Sequence, residues 1–260
     1  MDRNANRITL QQIARKAMIS RGLLPDFPPD VIAELRGINS PATYKPAHSK
    51  DMRRLLWCSV DNDDSLDLDQ LSYAEQLPEN KVRLLVAIAD VDALVAEQSN
   101  IDHYASQNTA SIYTVAEMFP MLPEKLSTDF TSMRLGEDRC AVVVEMIIDD
   151  DGAIQQSDVY TAMVFNHAKL QYESLGEWLE EKGSIPSEVR KVEGLAENIQ
   201  LQDRTAQKMK ELRYEHGALE FETIEARPVF EGDALNEMKA EQKNRAKSLI
   251  EDFMIAANGA

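Results

Sequence analysis

Cysteine is nearly absent from this 260-residue chain: only Cys58 and Cys140 occur. They stand far apart and in no Cys-x-x-Cys or Cys/His spacing, which excludes a zinc ribbon and a disulfide scaffold and leaves both as small apolar packing residues. Long hydrophobic runs are missing too, since no apolar stretch approaches the roughly 18 residues a membrane helix requires. The opening Met1-Asp2-Arg3-Asn4-Ala5-Asn6-Arg7 holds no signal-peptide core, so the expectation is a soluble cytoplasmic protein with no membrane partner. Internal repeats and low-complexity segments do not occur. His48, His103, His167 and His216 show no triad-like spacing with a Ser or Cys, and nucleophilic catalysis therefore has no support. Positive charge is scarce: the formal net charge is −17, which sits badly with a surface built for phosphate backbones. The deficit is uneven, however, because residues 1–54 carry ten basic side chains against five acidic ones. Charge alone does not exclude RNA.

What the chain does contain is enough apolar material, 43%, for a real core. It also contains a cluster of carboxylates. After the apolar run Leu55-Leu56-Trp57-Cys58, the segment Ser59-Val60-Asp61-Asn62-Asp63-Asp64-Ser65-Leu66-Asp67-Leu68-Asp69-Gln70 places five aspartates within nine positions. Carboxylates so crowded repel one another unless a cation or water relieves them. Hard divalent ions accept oxygen ligands, and magnesium in particular combines one or two carboxylates with water and substrate phosphate oxygens. A calcium loop fails in both registers. Starting at Asp61 puts Leu66 where the sharp turn needs Gly and Ser72 where a bidentate Glu belongs; starting at Asp63 puts Leu68 and Ala74 there. A solvated acidic loop stays open as the alternative, although the position directly after a buried strand favours chemistry. A second acidic run, Asp149-Asp150-Asp151-Gly152, reads as a structural turn.

The periodicity predicts an amphipathic helix over Ile8 to Leu23, with Leu10, Ile13, Ala14, Ala17 and Met18 on its apolar face. A proline-rich link leads to a short helix at Val31 to Leu35, and Pro41 to Pro46 reads as an extended boundary. Strands are expected at Leu71 to Ala74 and Val82 to Ala89 around a Pro78-Glu79-Asn80 turn. Ser99 caps a helix running through Asn108, Ser111 to Val115 reads as a strand, and Pro123 to Leu126 as a short helical turn. Cys140 to Ile148 and Ile154 to Phe165 form a second hairpin. Helices then dominate, through Tyr172 to Glu181, Ser187 to Tyr214 and Asn236 to the end, with His216 to Phe221 as a helix stop and strand entry. Antiparallel hairpins followed by late helices predict an α+β fold: a mostly antiparallel sheet with packed helices.

Several segments, in order, resemble the ribonuclease II family and the front portion of its RNB catalytic domain. They are Val60-Asp61 with Asp67-Leu68-Asp69; Val86-Ala87-Ile88-Ala89-Asp90-Val91; Ser111-Ile112-Tyr113; Pro120 to Ser127; Gly136-Glu137-Asp138-Arg139; Ala168-Lys169-Leu170-Gln171-Tyr172; Gly217-Ala218-Leu219-Glu220-Phe221; and Leu249 to Met254 with Ala257-Asn258. The resemblance implies hydrolysis of single-stranded RNA from its 3′ end to nucleoside 5′-monophosphates, dependent on Mg2+ and without specificity for DNA. It implies that Asp61, Asp67 and Asp69 are catalytic metal ligands and that Tyr113 and Phe221 stack on bases. Glu251 would contact the terminal ribose and Tyr172 would line the same channel. It divides the chain into a basic helical segment, 1–45, and an RNB-like domain, 46–260. Two departures accompany it. Gln70 stands where the family usually has a fourth aspartate, which Asp63 or Asp64 would have to replace. The family's domain also continues past the point matching Asn258, with a later arginine and glutamate, so the expectation is an RNB domain cut short at its C-terminus, with a partner chain completing it. The alternatives are a remnant that binds RNA 3′ ends without degrading them and an unstable truncated product.

Overall fold

The computed structural model describes residues 3–45, 49–114, 116–219, 225–231, 234–241 and 243–260. In chain order its elements are helices α1 (Arg3–Ser20) and α2 (Pro29–Leu35); strands β1 (Lys50–Asp51), β2 (Cys58–Asp61), β3 (Gln70–Gln76) and β4 (Val82–Ala89); and helix α3 (Asn100–Asn108). Strands β5 (Ile112–Tyr113), β6 (Met118–Phe119), β7 (Asp138–Ile148), β8 (Ile154–Phe165) and β9 (Ala168–Gln171) follow, then helices α4 (Tyr172–Leu179), α5 (Ser187–Arg190) and α6 (Leu195–Glu215). Strands β10 (Glu225–Glu231) and β11 (Ala234–Glu241) precede helix α7 (Arg245–Gly259). These elements divide into two compact units, one of residues 1–40, 94–127 and 222–242 and another of 41–93, 128–221 and 243–260. Residues 1–40 of the basic segment drawn over 1–45 from sequence thus share a unit with two later stretches, and 41–45 fall in the other.

In the first unit, Asn108 holds the turn after α1 by accepting the Leu24 N–H at 2.9 Å and donating to the Leu24 carbonyl at 2.9 Å. The Tyr104 hydroxyl donates to the same carbonyl at 3.0 Å, and its ring meets Phe27 at a centroid distance of 4.5 Å. Ser99 caps α3 as expected, accepting from the Asp102 N–H. Of the apolar stripe read on α1, Met18 is buried, whereas Ile13 remains 57% exposed.

The second unit is built on a seven-stranded sheet in the order β1-β8-β7-β4-β3-β2-β9. Both end pairings, β1 with β8 and β2 with β9, are parallel; the rest are antiparallel. Strand β4 lies at the centre because it is apolar on both faces: Leu84, Leu85, Val86 and Ala87 are all within 1% of full burial. Leu84 and Val86 join Val144, Met146, Leu175, Ile199, Leu249 and Phe253 in a core beneath helices α4 to α7. Leu85 and Ala87 join Trp57, Leu68, Met133, Val143 and Val164 on the opposite face. Period-2 alternation along one strand thus serves two cores, which is the α+β arrangement expected. The β3–β4 turn places Glu79 and Asn80 at positive φ, and Leu77 and Lys81 close it by a 2.8 Å backbone hydrogen bond. Cys58 and Cys140 are free and buried.

Three expectations are corrected. The helix read over Ser187 to Tyr214 is two, α5 and α6, because Gly194 takes φ +78 and breaks the path. The helix read from Asn236 is strand β11 paired antiparallel with β10, and α7 begins only at Arg245, after an Asn244 cap that accepts the Lys247 N–H. The polar, helix-favouring composition of residues 234–241 is overridden by cross-strand pairing. Strand β9 was not anticipated: four residues are too few for alternation to show. The strand entry read at Phe221 lies outside the described residues.

Candidate functional site

Strand β2 ends at Asp61 and β3 begins at Gln70, so the aspartate-rich segment is the connection between two adjacent strands. Its far end is fixed by a buried plug. Leu68 is 3% exposed; its N–H donates to Ser132 Oγ at 3.1 Å, its carbonyl accepts from the Met133 N–H at 2.8 Å, and Ser132 Oγ donates on to the Leu66 carbonyl at 2.7 Å. With Leu68 turned into the core, alternation turns Asp67 and Asp69 the other way. On the opposite flank β9 pairs in register with β2, Asp61 facing Gln171, which sets Tyr172 at the start of α4 beside the acidic segment.

Asp61 Oδ1 accepts the Asn62 N–H at 2.7 Å and the Ser65 hydroxyl at 2.9 Å. Both bonds favour ionisation, yet burial outweighs them and pushes the Asp61 carboxyl above its ordinary value, with the charge of Asp67 adding to the rise and Lys169 opposing it. Asp69 keeps a solvent-facing side, but its carboxyl is crowded enough by protein that burial raises it, and the charges of Asp61 and Asp67 raise it further. The Tyr172 hydroxyl is pushed up by burial and then by the charges of Asp61 and Asp69. Asp61, Asp67, Asp69 and Tyr172 therefore share one electrostatic field.

Such a field is what a hard cation relieves, and the donors are oxygens of the type magnesium accepts. The expected trio is not a closed ligand cage. Among the described residues no three carboxylate, imidazole or thiol groups converge closely enough to hold a metal ion by themselves. Asp61 and Asp69 instead suit a site whose remaining ligands are water and substrate oxygens. Gln70 does not stand in for a carboxylate with its amide nitrogen, because Nε2 donates to the Val60 carbonyl at 3.2 Å and the side chain is buried. Asp63 and Asp64 are exposed, and Asp63 Oδ1 accepts the Asp64 N–H at 3.0 Å.

Two other expected residues are on separate elements. Tyr113 is on β5 in the first unit, 67% exposed. Glu251 is exposed on α7 and pairs with Lys243 at 2.6 Å. Phe221 lies outside the described residues. The structure adds one residue that the sequence left as a surface charge: Lys169 on β9, whose Nζ donates to the carbonyls of Asp63 at 3.1 Å and Ser65 at 2.6 Å.

Comparison with known proteins extends this picture. Residues 49–260 match the family model described as the RNB domain. The chain is 33% identical over 236 residues to ribonuclease R of Thermotoga maritima, a match covering 90% of this chain and 33% of that protein. It is 34% identical over 212 residues to exoribonuclease 2 of Cronobacter sakazakii, covering 80% of this chain and 32% of the relative. Its fold matches that of Mycoplasma genitalium RNase R in complex with ribose-methylated single-stranded RNA, with a TM-score of 0.82 at 24% identity over 93% of this chain and 37% of that one. The chain spans about a third of the length of the curated relatives it matches.

Proposed function

This chain belongs to the RNB-domain family of exoribonucleases, and from that membership we propose that it acts in the shortening of single-stranded RNA from the 3′ end, releasing nucleoside 5′-monophosphates with magnesium in the cytoplasm. The observation that supports this reading is the shared field of Asp61, Asp67 and Asp69: burial raises the Asp61 and Asp69 carboxyls, and the charge of Asp67 raises both further. Magnesium, when bound, would supply charge neutralisation at the attacking and leaving oxygens of the phosphodiester. The protein's part is to present oxygen donors from a fixed loop. Tyr172, whose hydroxyl is pushed up by burial first and then by Asp61 and Asp69, offers an O–H donor rather than a further negative charge to an incoming phosphate. The exposed ring of Tyr113 suits base stacking, which tolerates any sequence because every base has a π face, and Phe221 is assigned the same work. Glu251 is assigned to the terminal ribose, where a 2′-hydroxyl distinguishes RNA from DNA.

A second reading is favoured by one observation: no three ligating side chains converge among the described residues. In that reading the protein holds RNA 3′ ends without cutting them. Incubating 5′-labelled single-stranded RNA with the purified protein and magnesium separates the two. Stepwise shortening that chelation stops and Asp69→Asn abolishes supports the nuclease; retention of intact RNA by the unaltered protein, with Asp69→Asn binding equally well, supports the end-binding protein.

A further inference from the structure

Lys169 occupies an unusual place for a lysine. Strand β9 sets it opposite Ser59 on β2, and its neighbours Ala168 and Leu170 are both buried in the helix-side core, so Lys169 points from the other face of the sheet edge. From there its side chain runs towards the acidic connection, but among the described residues its ammonium pairs with no carboxylate. Its ammonium donates instead to two main-chain carbonyls of that connection, those of Asp63 and Ser65. A lysine ammonium has three donors, and two are committed to the backbone. The connection is thereby pinned at both ends: Leu68 and Ser132 hold the stretch leading to Asp69, and Lys169 holds the stretch leaving Asp61. Its charge also acts on Asp61, opposing the effect of burial there.

We propose that Lys169 is a positioning residue that staples the Asp61–Asp69 loop through the Asp63 and Ser65 carbonyls, fixing the spacing of the carboxylates and offsetting their repulsion before magnesium or RNA arrives, without itself contacting RNA. The idea rests on the proposed function only in taking the loop as the metal-binding element. A lysine beside a nuclease site would otherwise be read as a phosphate contact, which contributes to affinity and to its salt dependence. Committing two donors to main-chain carbonyls argues for the staple.

The unaltered protein is compared with Lys169→Met and Lys169→Arg in three measurements: amide hydrogen exchange over residues 62–67, calorimetric binding of magnesium ion alone, and affinity for single-stranded RNA in chelator across a range of salt. Lys169→Met is expected to speed loop exchange and to weaken magnesium binding, each by about tenfold, the scale of losing hydrogen bonds from a charged donor. RNA affinity in chelator and its salt slope stay unchanged. Lys169→Arg recovers most of both losses, because a guanidinium can donate to two carbonyls at once. Should Lys169→Met fail to show a cooperative unfolding transition, Lys169→Gln replaces it with the same expected effects. Unchanged loop exchange in the neutral variant overturns the proposal. So does an RNA affinity that falls with a salt slope shallower by about one, the mark of a lost phosphate contact. If the unaltered protein binds no magnesium, the proposed function fails, and loop exchange alone decides Lys169.

Discussion

Two runs of aspartate sit on the same sheet and behave in opposite ways. In the turn between β7 and β8 the carboxylates are partnered: Asp149 Oδ1 accepts the N–H groups of Asp151 at 3.0 Å and Ala153 at 2.9 Å, Asp149 Oδ2 accepts from Gln155 Nε2 at 2.6 Å, and Asp150 pairs with Lys208. The Lys208 hydrogen bond holds the Asp150 carboxyl below its ordinary value. In the connection between β2 and β3, Asp61 and Asp69 are held above theirs, by burial first and then by neighbouring charge, that of Asp67 on Asp61 and those of Asp61 and Asp67 on Asp69. In sequence both runs follow a strand, the first read as a candidate metal site and the second as a structural turn. What separates them is the direction in which their surroundings move the carboxyl groups. The turn is closed by its own hydrogen bonds, whereas the β2–β3 connection, proposed here to bind magnesium, holds Asp61 and Asp69 where burial disfavours their charge.

The contrast is sharpest in activity. Asp69→Asn is expected to lower magnesium-dependent release of mononucleotides by about a hundredfold or more, the scale of removing a group that stabilises developing charge. Asp150→Asn should leave the rate within about twofold, as befits an exposed ion pair. Equal losses would erase the distinction. Stability should reverse the ranking. Gly152 takes φ +89, and a Cβ there would lie 2.5 Å from the Lys208 main-chain carbonyl. Gly152→Ala is therefore expected to cost about 2–3 kcal/mol in urea unfolding, while Asp69→Asn, which removes a charge that burial and its neighbours disfavour, should cost nothing and if anything stabilise the fold at neutral pH. A neutral Gly152→Ala would show that the turn is not structural.

A buried carboxylate outside both runs gives a smaller and separate test. Asp252 on α7 is 3% exposed, and burial pushes its carboxyl up to about 6 although Arg213 and Lys210 of α6 and Lys243 favour its ionisation; Glu251 on its own helix opposes it. A folded-state pKa above the unfolded one contributes stability that is fully present below about pH 4 and lost as pH rises through the folded value. The unaltered protein should accordingly lose on the order of 2 kcal/mol more than Asp252→Asn between pH 4 and pH 8, read from urea midpoints at each pH. Parallel pH profiles for the two proteins would mean that burial is not what governs carboxylates in this fold.

How much of this was readable without coordinates depended on the length of each signal. Strand β4 and the β7–β8 hairpin announce themselves through long apolar runs and a turn containing glycine, and Ser99 through its capping position. Strand β9 hides in four residues whose partner is parallel and more than a hundred positions away, and β11 hides in a composition that favours helix when no partner strand is considered. The site divides similarly. Asp61, Asp67, Asp69 and Tyr172 were named through family resemblance, and the structure brings them into one field. Lys169 was passed over because a lone lysine on an unseen strand gives no sign that its ammonium reaches a loop in another part of the chain. Gln70 was read as a weaker ligand than a carboxylate, and the structure adds that its amide nitrogen donates to the Val60 carbonyl, a contact visible only once β2 and β3 lie side by side.

The central claim is that the β2–β3 connection, and not the β7–β8 turn, is the cation-binding acidic run. Titrating isotope-labelled protein with magnesium while following backbone amide resonances tests it most directly. The account predicts saturable shifts concentrated at residues 61–70 and Tyr172, with residues 149–152 unmoved. Shifts concentrated at 149–152, or none at 61–70 at millimolar magnesium, would contradict it.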